Sequence, residues 1–165
     1  MHYRIEPIRK EHIRKDFDCG RPFLNDYLQQ FARQNHNNGV ARAFVLVPED
    51  KGNPVIGYYT ISAGALEFKE LPDQFARRLP HYPIPVARIG ELAVDDSLQG
   101  EGLGPTLLFD AFMKIAHASE EMAVWAIVVD PIDNQATSFY QHFGFEPLRD
   151  SDALFITMRD VAGWL

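Results

Sequence analysis

The residues with the most chemistry to offer lie past the middle of the chain, in Leu92-Ala93-Val94-Asp95-Asp96-Ser97-Leu98-Gln99-Gly100-Glu101-Gly102-Leu103-Gly104. Glycines at alternate positions let the backbone approach a ligand closely and take positive φ. A helix opening there turns its unpaired N–H groups, and the positive end of its dipole, toward the loop. That combination binds phosphate. A P-loop would need Gly-x-x-x-x-Gly-Lys followed by Ser or Thr, and no such run occurs. A dinucleotide fingerprint would need Gly-x-Gly-x-x-Gly near the first strand, whereas the spacing here is Gly-x-Gly-x-Gly, well past it. A third pattern, Gln-x-x-Gly-x-Gly after a Leu-Ala-Val strand, is met by Gln99, Gly102 and Gly104.

Other reactive residue types do not assemble. The histidines (His2, His12, His36, His81, His117, His142) show no ligand spacing and the lone cysteine has no partner, so no metal is expected. Cys19 reads as a small buried residue rather than a nucleophile. Tyr58 and Tyr59 read as sheet packing, with the lining of an acceptor site as the alternative.

The elements that must position the loop follow from periodicity. Residues 3–7 form a short strand; the basic stretch 9–15 and a turn at 17–22 follow. Pro22 suits the start of a helix carrying Phe23, Leu24, Tyr27, Leu28 and Phe31, which Gly39 stops. Segments 43–47 and 55–61 pair as a hairpin across the turn 49–54. A short helix is predicted over 71–79, then an extended loop at 81–85 whose prolines exclude helix. Strand 89–94 leads through the glycines into a helix with Leu107, Leu108, Ala111, Phe112, Ile115 and Ala116 on one face. Pro105 suits the first position of that helix. Strand 124–129 follows; then a helix capped by Asp133, carrying Ala136, Phe139, Tyr140 and Phe143, ends at Gly144, and residues 154–158 form the last strand. Helices interleaved with strands predict an α/β fold, a mixed central sheet flanked by helices, with a parallel crossover at 89–129.

Composition sets the frame. A chain of 165 residues, 46% hydrophobic and 24% charged, closes one core, so a single domain over 1–165 is expected. One cysteine fits a reducing compartment. The start Met1-His2-Tyr3-Arg4 carries no apolar signal segment, and the longest apolar run, 122–129, is far below the ~20 residues of a membrane span. A cytoplasmic protein without a membrane partner is the expectation. The net charge of −7 argues against nucleic acid, yet residues 1–90 hold 13 Lys/Arg against 10 Asp/Glu and the remainder 3 against 13. This describes either a two-faced surface or two differently charged lengths of sequence.

The loop resembles the coenzyme A pyrophosphate loop of GNAT acetyltransferases, and Phe139-Tyr140-x-x-x-Gly144-Phe145 resembles the second GNAT signature. A narrower resemblance runs along nearly the whole chain, to the acetyltransferase toxins of bacterial type II toxin–antitoxin modules. It is carried by Phe17-Asp18-Cys19-Gly20, Leu24-Asn25, Tyr27-Leu28, Gly39-Val40-Ala41-Arg42, the stretch 57–62, Leu79-Pro80-His81-Tyr82-Pro83-Ile84-Pro85 and the ending 154–161. The resemblance implies a single-domain GNAT fold and acetylation of the α-amine of aminoacyl-tRNA, which stops translation, with acetyl-CoA as donor and coenzyme A as product. It also implies a ribbon-helix-helix antitoxin, operator DNA reached only through that antitoxin, and a homodimer. A GNAT enzyme for a small-molecule or protein amine, and a catalytically weakened module acting mainly through antitoxin binding, are the alternatives.

On that resemblance, Gln99, Gly100, Gly102, Leu103 and Gly104 hold the pyrophosphate, Leu92, Ala93 and Val94 hold the pantetheine arm through their backbone, and Asp133 and Asn134 border the coenzyme. For Asp133 the helix N-cap is the competing reading. Tyr140 is the general acid: a phenol of pKa ~10 can protonate a departing thiolate. Its place in an apolar stripe makes core packing the competing reading. No general base declares itself, which suits an α-amine, with its pKa of ~7.7–8.0, better than a lysine at ~10.4. Arg9, Lys10, Arg14, Lys15, Arg33, Arg42, Arg77, Arg78 and Arg88 supply cations for tRNA, with Arg42, Arg77, Arg78 and Arg88 placed at the substrate. Two residues depart from the toxin pattern, which commonly has Arg where Glu91 and Glu101 stand. Glu101 weakens an exposed phosphate contact by up to ~1 kcal/mol. Glu91 reads as half of a salt bridge on the sheet, with a catalytic base as the alternative.

Overall fold

Seven strands, among them the continuously buried runs 126–129 and 154–157, form one mixed sheet in a computed structural model that describes residues 2–50 and 52–165. The strands are β1 (Tyr3–Pro7), β2 (Arg42–Pro48), β3 (Gly57–Leu66), β4 (Ile84–Val94), β5 (Ala126–Val129), β6 (Glu146–Pro147) and β7 (Leu154–Thr157). They lie in the order β1-β2-β3-β4-β5-β7-β6. β4 and β5 run parallel, from Val86 opposite Ala126 to Ile89 opposite Val129, as the crossover between them demands. The pairs β1–β2, β2–β3, β5–β7 and β6–β7 are antiparallel. The helices are α1 (Pro22–Asp26), which continues through a π-helical turn at Tyr27–Phe31 into α2 (Ala32–Asn37), then α3 (Asp73–Ala76), α4 (Leu103–Ala118), α5 (Asn134–His142) and α6 (Met158–Ala162). None of the helices described is long and apolar enough to cross a membrane.

Two compact units divide the chain: Met1–Ser62 with Gly90–Ala111, and Ala63–Ile89 with Phe112–Leu165. In the first, Leu24, Leu28 and Ala32 pack on Ala43, Val45, Val47, Tyr58 and Ala93 of the sheet. In the second, Leu66, Leu71, Ile84, Val86, Ala126, Val128 and Phe155 form the core, with Trp125 stacked on Phe155. The charge split of the sequence does not survive folding. The first unit contains nine Lys/Arg and twelve Asp/Glu, the second seven and eleven, so each is mildly acidic.

Several boundaries differ from expectation. Phe23 and Phe31 were expected on the buried stripe but are 66% and 50% exposed. The adjacent row Leu24–Leu28–Ala32 takes the sheet, and the row Phe23–Tyr27–Phe31 runs along its rim, where only Tyr27 stacks on Tyr58. The helix expected over 71–79 shrinks to α3, and the extended segment before residue 89 joins β4 from Ile84 onward, Pro85 included. Pro85 needs only its carbonyl there, which accepts from the Trp125 N–H at 2.9 Å. The last strand stops at Thr157 because its hydroxyl caps α6, accepting from the Asp160 N–H. β6 and α6 were not anticipated. Lys51, in the turn of the hairpin, lies outside the described residues.

Candidate active site

The glycine loop has the conformation that its spacing implies. Gly100 and Gly102 take φ of +84° and +79°, and a Cβ on either would meet open space. The amide N–H groups of Gly100, Glu101, Gly102, Leu103 and Gly104 find no acceptor among the described residues. The first turn of α4 closes only at Thr106, whose N–H and hydroxyl both reach the Gly102 carbonyl. Five successive free amides at the positive end of a sixteen-residue helix fit a diphosphate. Pro105 is the third residue of α4, not the first as expected. That position donates no intrahelical bond, so the ring forfeits none. Glu101 is exposed in the loop, a carboxylate beside the free amides.

Leu92, Ala93 and Val94 end β4 immediately before this loop. The ladder to β5 stops at Ile89, so residues 90–94 run on past it. Gln99 turns its side chain onto the protein: its Nε2 donates to the Val94 carbonyl at 3.1 Å and the Cys19 carbonyl at 3.3 Å.

Glu91 forms no salt bridge among the described residues, contrary to expectation. Its Oε2 accepts from the Thr60 hydroxyl at 2.5 Å, and the same hydroxyl accepts from the Glu91 N–H at 3.1 Å. Burial pushes its carboxyl above the ordinary carboxylate range, and the Thr60 hydrogen bond offsets only part of that. Tyr58 and Tyr59 are both fully buried and point to opposite sides of β3, with hydroxyls on the Leu24 carbonyl and on Asp110. They pack the sheet; burial raises both phenols far above the ordinary value. Cys19 is buried, as expected.

In the second unit Tyr140 is 7% exposed on α5, edge-on to Phe139 at 5.2 Å and to Phe145 at 5.2 Å. Gly144, at φ +96°, ends the helix: its N–H bonds to the Gln141 carbonyl and the Phe145 N–H to the Tyr140 carbonyl. This reversal brings Phe145 back onto the Tyr140 ring, so the spacing Phe-Tyr-x-x-x-Gly-Phe has a geometric cause. Asp133 is the N-cap of α5, accepting from the Ala136 N–H at 2.8 Å, and Asn134 is the first helical residue.

The basic residues separate by partner. Arg88 pairs with the exposed Asp130 at 3.3 Å, Arg42 donates to the His36 carbonyl, and Arg78 lies over the Phe75 ring. Arg77 is exposed at the end of α3. Arg9 is held by Glu6 and Glu11. Arg14 and Arg33, by contrast, have no acidic partner among the described residues and line one open cavity of about 390 Å³ with Gln29, Gln30, Gln34, Asn37 and Asn38. Both cations belong to the basic residues expected to serve tRNA, but nothing in their spacing joins them. The cue was six carboxamides within the ten residues 29–38.

Comparison with known proteins agrees with this geometry. Residues 41–147 match the family described as "Acetyltransferase (GNAT) domain". The chain is 37% identical over 146 residues to the tRNA-acetylating toxin of Mycobacterium tuberculosis, spanning 88% of this chain and 86% of that protein. The structure of AtaT complexed with acetyl-methionyl-tRNAfMet superposes with a TM-score of 0.91 at 30% identity, covering 99% of both chains. A mutant AtaT toxin bound to the C-terminus of the antitoxin AtaR and to acetyl-CoA superposes with a TM-score of 0.84 at 28% identity, covering 98% of this chain and 97% of the other.

Proposed function

The chain belongs to the GNAT acetyltransferases, and on that premise we propose that it is a toxin that transfers acetyl from acetyl-CoA to the α-amine of aminoacyl-tRNA, so blocking translation. The observation that carries the substrate is the 37% identity, along most of both chains, to a tRNA-acetylating toxin. The whole chain, residues 1–165, is read as one cytoplasmic GNAT domain. The tRNA complex and the antitoxin complex of AtaT support RNA and antitoxin as partners of this chain. A ribbon-helix-helix antitoxin that carries the pair to operator DNA, and a homodimer, complete the reading.

Acetyl-CoA supplies a thioester, an activated acetyl group with a thiolate as leaving group. The free amides of Gly100, Glu101, Gly102, Leu103 and Gly104 hold its diphosphate, and the backbone of Leu92, Ala93 and Val94 lies along its pantetheine arm, with Asp133 and Asn134 bordering the coenzyme. An N–H of that strand faces the acetyl carbonyl and stabilises the charge that develops there. The amine nitrogen forms the new bond to the acetyl carbon as the carbon–sulfur bond breaks. Its proton leaves to water, which suffices for an α-amine near its pKa, and Tyr140 gives its phenolic proton to the thiolate. Arg42, Arg77, Arg78 and Arg88 contact tRNA phosphates, and Arg14 and Arg33 in their own cavity offer two further cations.

Expression in a bacterial host tests this reading. Growth arrest, relieved by Tyr140→Phe and accompanied by labelled acetyl on charged tRNA, is the expected outcome. Normal growth with unlabelled tRNA overturns it. One observation favours a second reading, a catalytically weakened module: the exposed Glu101 carboxylate within the diphosphate loop. Absence of acetyl-CoA binding at millimolar ligand would select that reading. Acetylation of a small or protein amine, with charged tRNA untouched, would select the remaining one.

A further inference from the structure

The turn Phe17-Asp18-Cys19-Gly20 and the following Asn25 were singled out in the sequence, yet no step of the acetyl transfer uses them. The structure joins this turn to the segment that enters the glycine loop. The Asp96 N–H donates to the Asp18 carbonyl at 2.8 Å, and the Asp18 N–H donates to Asp95 Oδ2 at 3.0 Å. Gln99 Nε2 reaches the Cys19 carbonyl at 3.3 Å. Gly20, at φ +85°, lies so close that a Cβ would stand 3.0 Å from Asp96 Oδ2. Asn25 holds the turn from its other side: its Oδ1 accepts from the Cys19 N–H at 2.8 Å and its Nδ2 donates to Asp18 Oδ1 at 3.0 Å. Asp18 Oδ1 also accepts from the Gly20 N–H at 2.9 Å.

Beyond Gln99 the loop's amides have no such support, since those from Gly100 to Gly104 bond to nothing described in the chain. Its entry is therefore fixed by a contact about eighty residues away in sequence. From this juxtaposition we infer that Asn25, Asp18 and Asp95 are positioning residues for the coenzyme diphosphate: they hold the start of the loop so that its free amides converge on one anion. The inference rests on the glycine loop being the coenzyme loop, and it is independent of which amine is acetylated. A loop that must find its shape on binding loses affinity relative to one held in it.

Two donors separate this role from general damage to the fold. Acetyl-CoA carries the diphosphate, and S-acetylpantetheine carries the same thioester without it. Asn25→Ala removes two hydrogen bonds, one from the Cys19 N–H and one to the Asp18 carboxylate, and should raise the dissociation constant of acetyl-CoA about tenfold. The rate with S-acetylpantetheine and a simple amine should stay within twofold of the parent. Asp95→Asn, which loses one of the acceptors for Asp18 and Ser97, should show the same selective loss. Equal loss with both donors, or unchanged acetyl-CoA affinity in both variants, overturns the inference. Hydrogen exchange on the unmodified chain checks it without substitution: coenzyme A should slow the Asp18 and Asp96 amides, and pantetheine should not. Identical protection by both ligands, or none by either, overturns it. Coenzyme A failing to bind at all would instead remove the reading on which the inference rests.

Discussion

Thr60 and Glu91 share one hydroxyl between two bonds: Thr60 Oγ1 donates to the Glu91 carboxylate at 2.5 Å and accepts from the Glu91 N–H at 3.1 Å. The Glu91 amide thus bonds to a side chain of β3, immediately before the strand residues assigned to the pantetheine arm. Gly90 permits the approach, because a Cβ there would stand 2.8 Å from the same hydroxyl.

The sign of the Glu91 shift makes a stability prediction. Burial raises its folded-state pKa above the unfolded value, so the charged form is disfavoured in the folded chain. Its contribution is most favourable at low pH and is lost as pH rises from the ordinary carboxylate value through the raised one. Glu91→Gln keeps an acceptor for Thr60 and removes the charge. It should raise Tm at pH 8 by about 2–4 °C, the effect of ~1 kcal/mol in a chain of this size, and should flatten the dependence of Tm on pH. Calorimetric scans at pH 5 and pH 8 check this; a lower Tm at pH 8 with the slope unchanged contradicts it.

Tyr140→Phe keeps a ring in the cluster of Phe139, Phe143 and Phe145 and deletes only the hydroxyl. The fold should persist, with kcat falling ~10²–10⁴-fold, the usual worth of a general acid. Single-turnover acetylation measures it. A rate within twofold of the parent would return Tyr140 to core packing.

Glu101→Arg replaces a like charge beside the diphosphate with an opposite one. The residue is exposed, so the gain is bounded by the ~1 kcal/mol of surface pairs, about a fivefold tightening of acetyl-CoA at low salt that fades as salt is added. Calorimetry at two ionic strengths decides it. Unchanged or weaker binding would mean that the carboxylate points away from the anion.

Arg14→Gln and Arg33→Gln each remove an unpaired cation from the amide-lined cavity. Each should weaken tRNA binding and reduce the slope of log affinity against log salt by about 0.7–0.9, the share of one phosphate contact. The KM for acetyl-CoA should not move. An unaltered salt slope in both variants would remove this cavity from the tRNA surface.

Much of the site was legible because its signals are local. Glycine spacing, the Asp133 cap and the Gly144 stop each act within one turn of helix, and each stands where the sequence puts it. The parallel crossover was equally readable, since a strand, a helix and a second strand in that order leave little else to do. Element ends were less readable. Thr157 could continue a strand or cap a helix, and the choice depends on whether its hydroxyl meets the Asp160 amide.

Partner choice across long separations was not legible at all. Glu91 looked like a salt-bridge carboxylate, but Thr60, thirty-one residues away, occupies it. Phe23 and Phe31 have the same spacing as a buried stripe, but the row beside them won the sheet. The basic and acidic lengths of sequence are redistributed because residues 90–111 pack with the N-terminal unit. The sequence by itself determined the α/β order, the glycine loop and the tyrosine set on a short helix, since backbone conformation and periodicity follow from neighbouring residues. Only the tertiary structure decided which charges are paired, which aromatic row is buried and what braces the loop, because those depend on groups that folding alone brings within hydrogen-bond distance.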